Sequence, residues 1–231
     1  MIRSLTGNYD DDIISRGLIR SLLCFMSQFY WLIMFLTFDY CYRYKSCLST
    51  SSRRDRVNRV ARIKLIVLIC GLPGVGKSTL ARALAPLIHA VVLSTDKIRK
   101  ELIPNPTYGW QERRLIYDVL VLLAKYLHRE GINCILDATF NTESSRKELK
   151  RKLDLSPEQF SLIECICSED VVVSRLKNRR DEYSDANIII YRKMKKIYQP
   201  VKREHIVVNT SNPLNVNTKE IAKQILKDNL C

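Results

Sequence analysis

Short apolar runs alternate with longer amphipathic stretches from residue 63 to the end of the chain. The runs are five to eight residues long and rich in Ile, Leu and Val. This length and composition are typical of strands buried inside a parallel sheet. We therefore predict five strands, at 63–70, 90–94, 132–137, 160–167 and 205–209.

The stretches between these runs have helical periodicity. Helices are predicted at 77–89, 111–130 and 218–230, and Gly131 is expected to end the second of them as a C-cap. In that second helix the apolar positions recur every three or four residues, at Leu115, Val119, Leu122, Leu123, Tyr126 and Leu127. Strands that alternate with helices predict an α/β fold, in which helices cover both faces of a parallel sheet.

The first 62 residues differ from the rest and are predicted to be an N-terminal extension, with residues 63–231 forming the main domain. Within the extension, residues 22–38 are 17 residues without a charge, and a membrane-spanning helix needs about 17–25. Three interpretations remain open: a membrane anchor, a secretory signal, and an extension that is poorly structured or precedes the native start. If it is an anchor, the arginine-rich stretch behind it would leave the main domain in the cytoplasm.

Composition narrows the range of functions. The 231 residues are 46% apolar and 27% charged, as in globular proteins, which excludes disorder throughout the chain. Lys and Arg outnumber Asp and Glu by 38 to 24, so we expect anionic partners such as nucleotides, nucleic acid, phosphate esters or a membrane surface. The eight cysteines include no C-x-x-C pair and the three histidines are far apart, which argues against a zinc site and favours a reducing cytoplasm.

A phosphate-binding motif directly follows the first predicted strand. The pattern G-x-x-x-x-G-K-[ST] is complete in Gly71, Leu72, Pro73, Gly74, Val75, Gly76, Lys77 and Ser78. Glycines let successive backbone N–H groups point inward at an anion, and the following helix N-terminus attracts it further. The Lys77 ammonium can reach the β- and γ-phosphates of ATP, and the Ser78 hydroxyl is a ligand for Mg²⁺.

A second metal ligand is expected at the end of the third predicted strand, where Asp137 stands. ATPases that act as motors commonly have Glu after this Asp to polarise the attacking water, whereas here Ala138 follows. The chain also lacks a guanine-reading N-K-x-D sequence, which Asn178–Asp181 only imitates. Both observations favour phosphoryl transfer to an organic acceptor over hydrolysis.

The acceptor is expected at the carboxyl edge of the sheet, where the second strand ends in Ser94-Thr95-Asp96-Lys97-Ile98-Arg99. Asp96 and Arg99 are one helical turn apart and share a face. The carboxylate can orient the acceptor hydroxyl and take its proton, and the guanidinium can hold an anionic group. The basic stretch 175–180 can place guanidinium groups on the transferring phosphoryl group, with Arg175, Arg179 and Arg180 as alternatives.

Several stretches together resemble a known family. GLPGVGKSTLARAL, STDKIRKEL, ILDATFNTESSRKEL, RLKNR, SDANIIIYRKM and VVNTS cover most of residues 63–212. They are similar to the P-loop kinases of the nucleoside-kinase-like group, and most similar to small ATP-dependent kinases of the AAA-33 type. Polynucleotide 5′-kinases, seryl-tRNA kinases, gluconate kinases and adenylylsulfate kinases are relatives of that group.

The resemblance implies a five-stranded parallel sheet of order 2-3-1-4-5 and a mobile lid over residues 175–200. It also implies the roles of individual residues. Phosphate binding falls on Gly74–Thr79, the acceptor pair on Asp96 and Arg99, the lid arginines on Arg175 and Arg179, and contact with adenine on Asn209-Thr210-Ser211.

The sequence thus favours a cytoplasmic kinase that uses ATP and Mg²⁺ and phosphorylates a hydroxyl group. Its acceptor is expected to be a small anionic metabolite or a nucleic acid, and no protein partner is evident. The alternative is a binding module that uses ATP as a conformational ligand, with RNA as one partner to consider. Membrane association is expected only through residues 22–38.

Overall fold

A computed structural model of the protein describes residues 64–178, 186–211 and 218–228. The predicted extension 1–62, with its apolar segment 22–38, lies outside these residues, and the division into two domains stays a prediction. Within the described ranges no helix is both long and apolar enough to cross a bilayer.

Five strands form one sheet in which every neighbouring pair is parallel. The strands are β1 (Ile66–Cys70), β2 (Ala90–Ser94), β3 (Asn133–Asp137), β4 (Phe160–Ile166) and β5 (Ile206–Asn209). Their order across the sheet is β2-β3-β1-β4-β5, so the predicted α/β class and the order 2-3-1-4-5 are confirmed. β1 is central and all five of its residues are buried, as a strand covered on both faces requires.

Seven helices of the described part connect or flank the strands. They are α1 (Lys77–Leu84), α2 (Thr95–Leu102), α3 (Trp110–Arg129), α4 (Glu143–Leu153), α5 (Glu169–Lys177), α6 (Ile188–Ile197) and α7 (Thr218–Asp228). A short 3₁₀ turn at Pro157–Gln159 precedes β4. Thr142 caps α4 by accepting a hydrogen bond from the Ser145 N–H, and Asn187 caps α6 in the same way from Ile190.

One core lies between the sheet and helices α1 and α7. Val67 and Ile69 of β1 pack there with Leu80 and Leu84 of α1 and with Ile225 of α7. Because side chains alternate along a strand, the intervening residues of β1 face the opposite layer, which contains α3 and α4. The sheet is therefore covered on both faces.

Two predicted helices differ in detail from the structure. The first was expected to reach His89 but ends at Leu84, because Pro86 has no N–H to donate to the preceding turn. In α3 the apolar face is rotated from the predicted one: Leu122 and Tyr126 are exposed, whereas Ile116 and Leu120 are fully buried. Since α3 carries apolar residues on more than one side, contact with the sheet selects the buried face.

Candidate active site

The phosphate motif forms a tight loop between β1 and α1. Gly71, Gly74 and Gly76 all have positive φ angles, of 139°, 81° and 94°. A Cβ on Gly71 would lie 2.5 Å from the backbone oxygen of Cys165 in β4. Only glycine combines this conformation with so close an approach of two backbones, so the loop shape depends on residue type and neighbouring strand together.

Three side chains meet where this loop joins the sheet. Lys77 is the first residue of α1, and its Nζ donates a hydrogen bond to the Leu72 carbonyl at 2.9 Å. Asp137 ends β3, is 4% exposed, and accepts a hydrogen bond from the Ser78 hydroxyl. Burial raises the pKa of Asp137, while Lys77 and the Ser78 hydrogen bond oppose that rise. The predicted metal pair Ser78 and Asp137 is thus brought together.

The predicted acceptor pair lies on α2, which starts directly after β2. The Asp96 side chain is 49% exposed, and its Oδ1 lies 3.3 Å from Nη1 of Arg99. The Arg99 side chain, in contrast to that of Asp96, is only 7% exposed. Both residues share one face of the helix, as their spacing predicts, but only the carboxylate is open to solvent.

Glu112 of α3 holds Arg99 and was not predicted from the sequence. Its Oε1 lies 2.9 Å from Nε of Arg99, in an ion pair whose two atoms are not aligned as a hydrogen bond. Its Oε2 accepts hydrogen bonds from the backbone N–H groups of Thr107 and Tyr108, at 2.6 and 3.0 Å. Burial favours the neutral acid, yet a hydrogen bond from the Thr107 hydroxyl, the two backbone hydrogen bonds and the charge of Arg99 outweigh it and hold the pKa of Glu112 below its usual range.

Tyr108 completes this cluster. Its φ is +58°, which is uncommon for a bulky residue, and its ring centroid lies 4.8 Å from Cζ of Arg99. The loop before α3 is therefore fixed from both sides, by the Glu112 carboxylate and by the Arg99 guanidinium. Nothing local in the sequence indicates this, because an acidic residue in the first turn of a helix is common for electrostatic reasons alone.

Of the two predicted lid arginines, the structure describes one. Arg175 lies in the last turn of α5, and its Nη2 donates to the Thr210 carbonyl at 2.6 Å while Nη1 donates to the Thr210 hydroxyl at 3.2 Å. That hydroxyl also donates to the Val75 carbonyl in the phosphate loop. Arg175 is thus joined to the loop through a fully buried threonine, whereas Arg179 lies outside the described residues.

Thr210 belongs to the stretch expected near adenine. It follows β5 directly, and its buried hydroxyl serves the phosphate loop rather than solvent. Next to it, the Asn209 Oδ1 accepts a hydrogen bond from the Ser211 N–H. The mobility predicted for residues 175–200 stays a prediction.

The phosphate loop and the acceptor pair open into a single cleft of about 500 Å³. Eleven of the predicted residues line it, namely Pro73, Gly74, Gly76, Lys77, Ser78, Thr79, Asp96, Arg99, Asp137, Arg175 and Thr210. Gly71, Leu72 and Val75 shape the loop from behind without being part of that wall. The two halves of the predicted site are therefore brought into one space.

The cleft also contains residues that sequence reasoning missed. Arg82 and Arg113 are exposed cations on its wall, and Tyr117 is part of it as well. Ile190 and Met194 of α6 add apolar surface. Arg113 could have been noticed in the sequence, because it stands in the first turn of α3. A positive charge is unfavourable there because of the helix dipole.

Comparison with known proteins gives relatives over this same part of the chain. An uncharacterized protein of Mycobacterium tuberculosis is 29% identical over 133 residues, covering 52% of this chain and 27% of that protein. The chain thus spans about a quarter of the length of that relative. A probable adenylyl-sulfate kinase of Archaeoglobus fulgidus is 30% identical over 104 residues, covering 41% of this chain and 67% of that protein.

Among solved structures, the Mycobacterium tuberculosis APS kinase in complex with AMPPNP and APS matches with a TM-score of 0.54. The match covers 71% of this chain and 97% of that one at 16% identity, so it supports the fold alone. Residues 66–201, more than half of the chain, match the AAA_33 family of AAA domains. The chain therefore belongs to the AAA_33 family and has the fold of the P-loop kinases.

Proposed function

We propose that the protein is a kinase that uses ATP and Mg²⁺ and transfers the γ-phosphoryl group to a hydroxyl of an anionic acceptor. The observation that carries this proposal is the shared cleft. A phosphate loop at one end and a solvent-exposed carboxylate, Asp96, at the other open into the same space. Such an arrangement suits transfer between two bound molecules, in which catalysis consists mainly of positioning and charge stabilisation.

At the nucleotide end, Gly74–Thr79 would bind the ATP phosphates through backbone N–H groups. Lys77 is available for the same task, because its ammonium donates to a neutral carbonyl, that of Leu72, which an incoming phosphate can replace. ATP is also the kind of nucleotide present, as AMPPNP, in the APS kinase that shares this fold.

The Mg²⁺ ligands would be Ser78 and Asp137. A hydroxyl and a carboxylate are the oxygen ligands that Mg²⁺ prefers, and these two are already within hydrogen-bond distance of each other. The carboxylate is buried close to the phosphate loop, a place where a cation relieves the cost of its negative charge. When bound, Mg²⁺ would neutralise charge on the β- and γ-phosphates.

At the acceptor end, Asp96 would orient the acceptor hydroxyl and accept its proton as the phosphoryl group arrives. Arg99 is committed to Glu112, so its proposed role is to hold Asp96 in place and to contribute positive charge from within the wall. Arg113 is exposed in the same cleft and can bind an anionic group of the acceptor directly. These cations support an acceptor that carries negative charge.

Arg175 would stabilise the phosphate loop and add positive charge beside the bound phosphates. A Cβ on Gly76 would lie 3.5 Å from its Nη1, which places the guanidinium against the loop. Arg179 keeps the role that the family resemblance implies, on the transferring phosphoryl group. Small anionic metabolites, including adenylylsulfate as the name of the archaeal relative suggests, and nucleic-acid ends are the acceptor classes to examine.

The proposal is tested with γ-³²P-labelled ATP and Mg²⁺. The full chain is incubated with a panel of hydroxyl acceptors that includes adenylylsulfate, sugar acids, nucleosides and RNA with a free 5′-hydroxyl. We expect label to appear in one acceptor class and to depend on Mg²⁺. Nucleotide binding without transfer to any member of the panel would contradict the kinase and favour the nucleotide-dependent binding module.

A further inference from the structure

Arg146 of α4 is a cation at the centre of a buried polar network. Its side chain is 1% exposed, although a guanidinium has five N–H donors that need partners when they leave water. Nη1 donates to the Phe140 carbonyl at 2.8 Å, and Nη2 donates to the Gln199 carbonyl at 2.6 Å. Glu143 pairs with the guanidinium at 3.1 Å. Arg146 thus connects two chain segments that are distant in sequence.

The first of these segments forms part of the cleft. Phe140 follows Asp137 by three residues, and the two residues between them, Ala138 and Thr139, line the cleft. The φ of Phe140 is +44°, an uncommon conformation for an aromatic residue, which the bond from Arg146 helps to hold. The position of the loop after β3 therefore depends on Arg146.

The second segment, Gln199–Pro200, comes two residues after α6, whose Ile190 and Met194 line the same cleft. This segment is bound to the loop after β3 and to the first residue of α4 by further hydrogen bonds. The Gln199 N–H donates to the Asn141 carbonyl at 2.8 Å, and the Glu143 N–H donates to Oε1 of Gln199 at 2.9 Å. The C-terminal end of α6 is consequently attached to the loop that follows Asp137.

We propose that Arg146 is a positioning residue for the nucleotide site: it clamps Gln199–Pro200 to the loop after β3 and so fixes α6 as a wall of the cleft. The inference rests on the proposed function, because it assumes that this cleft binds ATP. Without the clamp, the end of α6 is released and a smaller fraction of molecules has a complete cleft. The apparent dissociation constant then rises by the inverse of that fraction.

The test measures the affinity of the full chain for AMPPNP with Mg²⁺ by calorimetry, well below the unfolding temperature of each variant. Arg146→Met removes the clamp, and we expect the Kd to rise about tenfold. Arg146→Lys keeps the charge but cannot span two carbonyls as a planar fork does, so an intermediate rise is expected. Arg203→Gln is the matched control: it removes another ion pair of Glu143, at 3.0 Å, and should change the Kd less than twofold.

A merely structural role would give a different pattern. Arg146→Met would then lower Tm while the Kd of the folded protein stayed within twofold, and the inference would be overturned. If Arg146→Met does not fold, Arg146→Lys decides, since it keeps the buried positive charge beside Glu143 but cannot bond to the Phe140 and Gln199 carbonyls together. A raised Kd in that variant supports the clamp, and an unchanged Kd overturns it.

A failure of the proposed function would give results that differ from a failure of the clamp. An unaltered protein that binds AMPPNP but transfers no phosphate to any acceptor contradicts the kinase and leaves the clamp result standing. An unaltered protein that does not bind AMPPNP contradicts both, since the cleft is then not a nucleotide site.

Discussion

The phosphate end of the cleft is made from nine consecutive residues, whereas the acceptor end is assembled from three separate elements. At the phosphate end, residues 71–79 form one continuous loop and helix start, six of these residues line the cleft, and the glycines set the shape of the loop. At the acceptor end, Asp96 and Arg99 of α2, Tyr108 of the following loop and Glu112 of α3 hold one another through side chains. Local sequence thus specifies the first, and tertiary packing specifies the second.

The comparison teaches which substitutions each end tolerates. The phosphate end fails when its backbone cannot adopt the required path, so the sensitive positions there are glycines and Lys77. The acceptor end fails when one member of a side-chain network loses its partner, because the remaining buried charge is then unpaired. The predictions below probe these two sensitivities, from the largest expected effect to the smallest.

Asp96→Asn is expected to have the largest effect on phosphoryl transfer. The variant keeps the shape of the side chain but loses the proton acceptor, and loss of a general base typically lowers the rate about 10²–10⁴-fold. Steady-state rates with the acceptor found in the screen would measure this. Asp154→Asn is the control, because Asp154 is exposed in a left-handed position that Asn also favours, and its rate should not change.

Gly71→Ala is expected to destabilise the fold through the phosphate loop. A Cβ there would lie 2.5 Å from the Cys165 backbone oxygen, and the φ of +139° is unfavourable for alanine. Gly131→Ala is the matched control, since its φ is +79° and its Cβ would lie 3.8 Å from Cε of Lys64, an ordinary van der Waals contact. Urea unfolding should show a larger loss for Gly71→Ala than the roughly 1–2 kcal/mol expected for Gly131→Ala. Equal losses would contradict the close approach of loop and strand.

Glu112→Gln is expected to have a smaller effect that depends on pH. Because the folded protein holds the pKa of Glu112 below its ordinary value of 4.5, the carboxylate stabilises the fold above that value. This contribution is lost as the pH falls below 4.5 toward the pKa in the folded state. The variant should therefore have a lower Tm than the unaltered protein at pH 7, and the difference should shrink near pH 4.

Glu101→Gln serves as the control for that pH dependence. Glu101 forms a partly exposed ion pair with Lys97 at 3.7 Å, and such surface pairs contribute little to stability. Its Tm should match that of the unaltered protein at both pH values. A Glu112→Gln difference that persists unchanged at acid pH would show that the carboxylate charge does not hold the loop at Thr107 and Tyr108.

Sequence patterns predicted the five strands and their parallel arrangement, because buried apolar runs and the phosphate motif are local signals. The order of the strands across the sheet was predicted from the family resemblance, because the apolar runs in the sequence do not indicate which strands are neighbours. The roles of Glu112 and Arg146 were not predicted, and the physical reason is the same for both. Each side chain contacts a segment that comes close to it only in the folded protein. The prediction of the buried face of α3 was right for Val119 and Leu123 but wrong for Leu122 and Tyr126, because apolar residues lie on more than one side of this helix and only packing selects the buried side.

The central claim is that the two ends of the cleft have separate tasks, and crossing two variants with two measurements tests it most directly. For Lys77→Ala and Asp96→Asn, both the Kd for AMPPNP and the rate of transfer from ATP are determined. We predict that Lys77→Ala weakens nucleotide binding about 10- to 100-fold, as loss of a charged hydrogen bond implies, while Asp96→Asn leaves the Kd within twofold and abolishes most transfer. A rise in Kd for Asp96→Asn as large as that for Lys77→Ala would contradict the account, because Asp96 would then belong to the nucleotide end.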